Sequence, residues 1–328
     1  MNYLRLKIYR SIAAGITALI TFTLPLSASR TQMISKIDVP GAVVTVASGI
    51  NANGTVAGWY CLRLPCNSAN TRGFLLTNGT FTYIDVPNSS DHPATGTQPR
   101  YVSPQGIVLG AYFTLEDGAT VGTPRFRGFA WYQGTFTYFD APDVTADGQP
   151  VYDNPSFAHS IIPRAINARG EIVGCIHDKD QMDSMHGFLL SSETGAITRR
   201  ADGMTMNNGI TESGEIVGLD FMTLTGYHVD KFGNVETLSF PGADETDVWD
   251  INSRGEIVGT AFVGNVQHGF VRSKDGRYSF VDPENALAAT AFSISGNGSI
   301  VGNFRDAVGA QCSATACVHG FVLQNGTE

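Results

Sequence analysis

One phrase recurs six times along the chain and restricts the fold more than any other feature. It consists of an aliphatic residue, a small polar one, two further residues, Gly, then an apolar run ending in Gly. The copies run from Ile50 to Gly58, Val102 to Gly110, Ile166 to Gly174, Ile210 to Gly218, Ile251 to Gly259 and Ile294 to Gly302. Each reads as the end of one strand, a tight turn closed by Gly, and a second strand. The Asn-Gly pairs at 53–54 and 297–298 suit turns that need positive φ. After a connection of variable length, each copy opens a third strand on Gly plus an aromatic: Gly73-Phe74, Gly128-Phe129, Gly187-Phe188, Gly226-Tyr227, Gly269-Phe270 and Gly320-Phe321. A short turn then leads into a fourth strand such as Phe81 to Pro87. Four antiparallel strands in a unit of roughly 40 to 60 residues match one blade of a β-propeller.

The expected fold is therefore all-β, a six-bladed β-propeller of four-stranded antiparallel blades. The sixth copy reaches Asn325 to Glu328 where its fourth strand is due, and a matching strand, Ile34 to Gly41, stands ahead of the first copy. Joining this N-terminal strand to the C-terminal blade closes the ring and leaves no open sheet edge. An open solenoid is the alternative, and it needs no such complementarity.

Residues 1–29 read as a secretory signal peptide: Arg5, Lys7 and Arg10, an apolar stretch from Ile12 to Leu26, then Ser27, Ala28 and Ser29. Thr21, Thr23 and Pro25 break the stretch, which is short for a bilayer span. Residues 30–328 are then expected to form a single exported propeller domain, secreted or periplasmic and free of the membrane once cleaved. The net charge is −9, and the leader contains basic residues but no acidic one. An acidic remainder argues against nucleic acid as a partner. Cys61 with Cys66 and Cys312 with Cys317 read as two local disulfides, as exported proteins use them. Cys175 is left over as a buried free thiol.

The tripeptides His186-Gly187-Phe188, His268-Gly269-Phe270 and His319-Gly320-Phe321, with the small-polar-x-x-Gly-x-aliphatic-Val-Gly phrase, resemble the bacterial extracellular proteins built on HAF repeats. Arg72 and Arg127 replace the His in two copies, and Thr225-Gly226-Tyr227 stands in another. The likeness spans residues 33–328. It implies export and a propeller-like fold, and it transfers no catalytic residue.

In an up-and-down blade, the connection between strands two and three and the link to the next blade emerge at one end. The other turns emerge at the opposite end and are tight throughout. The first set holds the insertions 59–71, 88–97, 111–126, 141–160, 175–185 and 303–318. Variable loops on a rigid scaffold are where binding concentrates, so a site is expected at the looped end near the axis. The His or Arg opening strand three faces the end of strand four. That predicts the pairs Arg72 with Asp85, Arg127 with Asp140, His268 with Asp282 and, through ring closure, His319 with Asp38. These are cross-strand partners rather than metal ligands or bases. Thr225 and Ser239 replace both members in copy four, and His186, lacking an aligned Asp, is the copy whose ring reads as free.

Two residues before the repeated aliphatic, the copies place Ser48, Arg100, Arg164, Asn208, Trp249 and Phe292. If that position faces the channel, Arg100 and Arg164 on adjacent blades suit a carboxylate, sulfate or phosphate. Asn208, Trp249 and the neighbouring Asp250 extend the surface toward a sugar or flat ligand. The alternative is that both arginines are engaged by nearby carboxylates or carbonyls. His177 is a further candidate, two residues from Cys175 on one strand, a nucleophile and base without a third group. Asp178, Asp180 and Asp183 are spaced for Ca²⁺, though no Gly or closing Glu completes a loop pattern. No other cofactor or metal is expected.

The sequence has no Gly-x-Ser-x-Gly elbow, His-Glu-x-x-His, phosphate-binding Gly-Lys-Ser/Thr or dinucleotide fingerprint. The chain reads first as an exported, monomeric, non-catalytic binding or interaction module presenting its looped face to an extracellular glycan or protein. The rival is a hydrolase or lyase acting on an anionic saccharide or lactone at an axial pocket. It would use Arg100 and Arg164 for charge and His92, His159 or His177, set against a carboxylate, for proton transfer.

Overall fold

The computed structural model describes residues 32–114, 125–139, 143–144, 150–151, 160–177, 185–199, 204–306 and 317–325. The leader, Asp140, His159, Asp178, Asp180, Asp183 and Cys312 lie outside these residues, as does the side chain of His177. From Gln32 onward the chain belongs to one compact unit.

β1 (Gln32–Ile37) precedes β2 (Val44–Ile50), β3 (Val56–Cys61), β4 (Arg72–Thr77) and β5 (Thr80–Ile84), the last four pairing in chain order. β6 (Ala94–Val102), β7 (Val108–Thr114), β8 (Arg125–Tyr132) and β9 (Thr135–Phe139) form the next sheet, followed by the short hairpin of β10 (Asp143–Val144) and β11 (Pro150–Val151). A third sheet holds β12 (Ser160–Ile166), β13 (Ile172–His177), β14 (Met185–Leu190) and β15 (Ile197–Arg199). A fourth holds β16 (Thr205–Ile210), β17 (Ile216–Asp220), β18 (Thr225–Val229) and β19 (Val235–Leu238). β20 (Glu245–Ile251), β21 (Ile257–Val263), β22 (Val266–Arg272) and β23 (Tyr278–Phe280) follow, then β24 (Ala288–Ile294), β25 (Ile300–Arg305) and β26 (Val318–Asn325). β1 lies antiparallel to β26, in register from Gln32 with Asn325 to Ile37 with Gly320. One parallel bridge, Val44 to Val318, also links β2 to β26.

Four antiparallel strands in meander order, sheet after sheet, are the organisation of a β-propeller. The first strands touch in succession, β2 to β6, β12, β16, β20 and β24, and β24 touches β2. At the last of these contacts Asn297 donates to the Ala52 carbonyl at 3.2 Å.

The repeated phrase has a packing cause. Its second Gly pairs directly with the aromatic that opens strand three: Gly58 with Phe74, Gly110 with Phe129, Gly174 with Phe188, Gly218 with Tyr227, Gly259 with Phe270 and Gly302 with Phe321. A Cβ at any of these glycines would stand 1.9–2.4 Å from a carbonyl of the first strand and within 2.9 Å of the ring. Only a bare backbone leaves room for the ring to lie across the strand. Each of the five Phe rings is fully buried, and Tyr227 is 4% exposed. The earlier Gly has positive φ in all six copies, from 78° at Gly54 to 88° at Gly298, which closes the tight turn.

The small polar residue organises that turn and, where it is Asn, reaches the next sheet. Asn51 Oδ1 accepts the amides of Asn53 and Thr55 while Nδ2 donates to Ser103 O at 3.1 Å. Asn167 and Asn252 donate in the same way to Thr211 O and Ser295 O.

Three of the four predicted cross-strand pairs are present: Arg72 to Asp85 at 3.0 Å, His268 to Asp282 at 2.6 Å and His319 to Asp38 at 2.6 Å. Asp85 and Asp282 also accept the amides of Gly73 and Gly269, so each carboxylate holds the backbone of the third strand as well as its side chain. The partner expected for Arg127 is outside the described residues. One expectation is corrected: His186 has a contact of its own and is not free. In copy four the Thr225 hydroxyl lies 2.8 Å from that of Thr223. Cys61 and Cys66 form the expected disulfide, and Cys175 is a buried free thiol. Cys317 is disulfide-bonded.

Candidate functional site

In every first strand the ladder skips a residue at the same place, and in β6 it skips Thr95 as well. Ala47 and Gly49 pair with consecutive partners on β3, leaving Ser48 unpaired, and the same shift isolates Arg100, Arg164, Asn208, Trp249 and Phe292 in the other five strands. Each is thus the extra residue of a β-bulge, a device that re-aims a side chain out of the normal alternation. All six converge on one cavity of about 40 Å³, which Trp59 borders from β3. Tyr101 and Asp250 line both this cavity and a second one of about 150 Å³ on the side of the tight turns, so they form the partition between the two.

Polar groups in the cavity are incompletely matched. Arg100 donates to Gln98 Oε1, yet its Nε–H has no partner. Arg164 lies with its guanidinium carbon 5.4 Å from the Trp249 ring centroid, and its Nε–H is also unpartnered. Trp59 Nε1–H and Asn208 Oδ1 are buried without partners as well. The other ends are secured: Asn208 Nδ2 donates to Val248 O at 2.7 Å, Trp249 Nε1 to Thr260 Oγ1 at 2.9 Å, and Ser48 Oγ to Pro99 O at 2.7 Å. Three N–H donors and one acceptor on residues that line the cavity are thus buried without a partner.

The expected alternative, in which carboxylates or carbonyls engage both arginines, holds in part among the described residues: the Gln98 side-chain carbonyl takes Arg100, whereas Arg164 lies against the Trp249 ring and the Cys175 sulfur. Neither makes an ion pair with a described residue. Burial first, and the Arg164 charge second, push the Arg100 guanidinium down to about 9, so it remains charged at neutral pH. Burial likewise lowers Arg164 and raises the neighbouring Cys175 thiol. Burial raises Asp250 to about 6 although Ser293 Oγ and the amides of Ile251 and Ile294 all donate to it.

Arg100, Arg164, Asn208, Trp249 and Asp250 are therefore brought together by the fold. His177 ends β13, and its side chain is outside the described residues. His92 packs on Tyr138 at 3.7 Å between centroids, with Nδ1 3.3 Å from the Tyr112 hydroxyl. No described histidine lines the axial cavity. Sequence reasoning missed Trp59 and Tyr101, because neither stands at the repeated spacing that marks the other contributors.

Asp306, Cys317 and His319 bring ligand-type atoms within 4.8 Å of one another. The disulfide removes Cys317 as a thiolate donor, which leaves Asp306 and His319 Nε2, 3.4 Å apart, as the remaining ligand atoms of the set. The acidic loop read for Ca²⁺ is outside the described residues.

No protein-family model matches the chain, and no curated relative matches it. The HAF-repeat likeness rests on the repeated phrases alone. Solved structures similar to the chain include a streptogramin B lyase, 14% identical over 89% of this chain and 98% of that one, TM-score 0.48. Others are the calcium-binding protein regucalcin from Agrobacterium tumefaciens, at 12% over 89% and 95% with TM-score 0.47, and TolB from Acinetobacter baumannii, at 12% over 84% and 65% with TM-score 0.46. Likeness at this distance carries no chemistry to this chain.

Proposed function

We propose that the chain is an exported six-bladed β-propeller, closed by β1 on the sheet of β24 to β26, that acts as a non-catalytic binding module for an extracellular ligand. The ligand, a glycan or a protein segment, presents an acidic group to the axial cavity from the looped end. The observation that carries this reading is the convergence of one bulged residue from each first strand on a single space holding two guanidinium groups, whose one lining carboxylate, Asp250, is engaged by Ser293 and two backbone amides. Such groups recognise acids, and the Trp249 and Phe292 rings beside them suit a flat or sugar-like neighbour. Among the described residues no histidine lines the cavity: His92 stands on tyrosines, His268 and His319 on aspartates, and His228 beside Glu215 and Glu236.

Titration with a uronic-acid oligosaccharide and with a neutral glucan oligomer of equal length, followed by calorimetry, tests the reading. Saturable binding of the acidic oligomer, lost in Arg100→Gln, is expected, without formation of new reducing ends over a day. Cleavage of the oligomer would establish the hydrolase or lyase alternative, and equal binding of both oligomers would remove the arginines from recognition.

A further inference from the structure

The cavity itself narrows what can be recognised. About 40 Å³ is space for only a few water-sized centres, whereas a sugar ring needs far more. The residues lining it include Arg100, Arg164 and Trp59, whose Nε, Nε and Nε1 N–H groups are all buried without a protein partner. Buried N–H groups are almost always satisfied, and buried charges are almost always balanced. Here two cations on adjacent sheets share one space. The nearest carboxylate in the lining, Asp250, directs its oxygens to Ser293 and two backbone amides instead.

We infer that the axial cavity binds a compact oxyanion, a carboxylate or sulfate-sized group, as an inorganic or small organic ion in its own right. The ion accepts from the two guanidinium Nε–H groups and the Trp59 indole and offsets the charge of the arginine pair. Because the unfolded chain has no such enclosure, occupancy stabilises the fold. The inference starts from the arginine pair of the binding reading given above and departs from it in the occupant: a free ion, rather than an acidic group on a glycan, fills the space.

The melting temperature of the purified protein, measured with sodium acetate, sodium sulfate or a uronic-acid disaccharide at constant ionic strength set by sodium fluoride, tests this. A saturable rise of about 5 °C with acetate or sulfate at a hundredfold excess over Kd is expected. Arg100→Gln/Arg164→Gln abolishes the saturable part and leaves only the gradual salt effect common to all proteins. Should that variant fail to fold, Trp59→Phe decides, since it removes one donor and keeps the ring. It weakens binding at least about fivefold, as expected for one hydrogen bond to a charged group. No saturable rise with either small anion, or an unchanged rise in Trp59→Phe, overturns the inference. A rise with the disaccharide alone also overturns it while leaving the binding-module reading intact, and no response to any of the three counts against both.

Discussion

His319 and Asp38 are 281 positions apart in the chain, and an imidazole nitrogen of one stands 2.6 Å from a carboxylate oxygen of the other. The bond clips β1 onto β26 at the end where Ile37 meets Gly320, and Lys36 adds a 3.1 Å contact to the same aspartate. Exposed ion pairs contribute about 0–1 kcal/mol, so the strand ladder and the burial of Ile37 and Val39 do most of the joining.

Deletion of residues 33–41 is expected to lower the melting temperature by more than about 10 °C or to cause aggregation, because it bares β26 as an edge. Asp38→Asn alone is expected to cost no more than about 1 kcal/mol. Scanning calorimetry of both proteins checks the ranking, and unchanged melting after the deletion would remove β1 from the fold's stability.

Gly302→Ala places a Cβ 1.9 Å from Thr290 O and against the Phe321 ring, whereas Gly54→Ala meets open space at a φ of 78°. The first is expected to cost about 3 kcal/mol or more, since rigid backbone must shift. The second is expected to cost about 1 kcal/mol, from conformation alone. Urea denaturation midpoints that reverse this order would contradict the account of the repeat.

Asn252→Ala removes the acceptor for the amides of Arg254 and Glu256 together with the donor to Ser295 O on the next sheet. Asn252→Ser retains an acceptor, as Ser103 and Ser295 do at the equivalent place. The Ala variant is expected to lose about 2 kcal/mol and the Ser variant about half of that. The difference, read from equilibrium unfolding, isolates the turn bonds from the link between sheets.

Burial, then the nearby charge of Glu245, raise Asp247 to about 7, and burial raises Asp250 to about 6. In the unfolded chain both titrate near their ordinary value of about 4. Between about pH 4 and 7 the folded state therefore holds more protons, and stability falls as pH rises across that window. Unfolding at pH 5 and pH 7 is expected to differ by about 1–2 kcal/mol in favour of pH 5, and Asp247→Asn is expected to flatten much of that slope. A wild-type profile that rises from pH 5 to 7 would contradict the burial of these carboxyls.

The repeat made the sheets legible because it is a packing requirement written six times: a bare Gly under a ring, and a Gly with positive φ closing a turn. The arginine position was legible for the same reason, since counting back from the aliphatic residue lands on the same place in each strand. That this place is a bulge was not readable, because the skipped residues, from Ser48 to Phe292, share no side-chain chemistry. Trp59 belongs to a second strand, and only three-dimensional proximity brings it to the cavity that Arg100 lines. The freedom of His186 was misjudged because alignment against the other copies sees only the cross-strand partner and not neighbours from elsewhere.

A residue left out of the ladder has no pairing duty, and that holds at one place in each of the six first strands. Serine, arginine, asparagine, tryptophan and phenylalanine all occupy it on one backbone design. The scaffold thus offers six sockets whose contents can be exchanged singly, and the cavity they share can be re-specified without rewriting the sheets that build it.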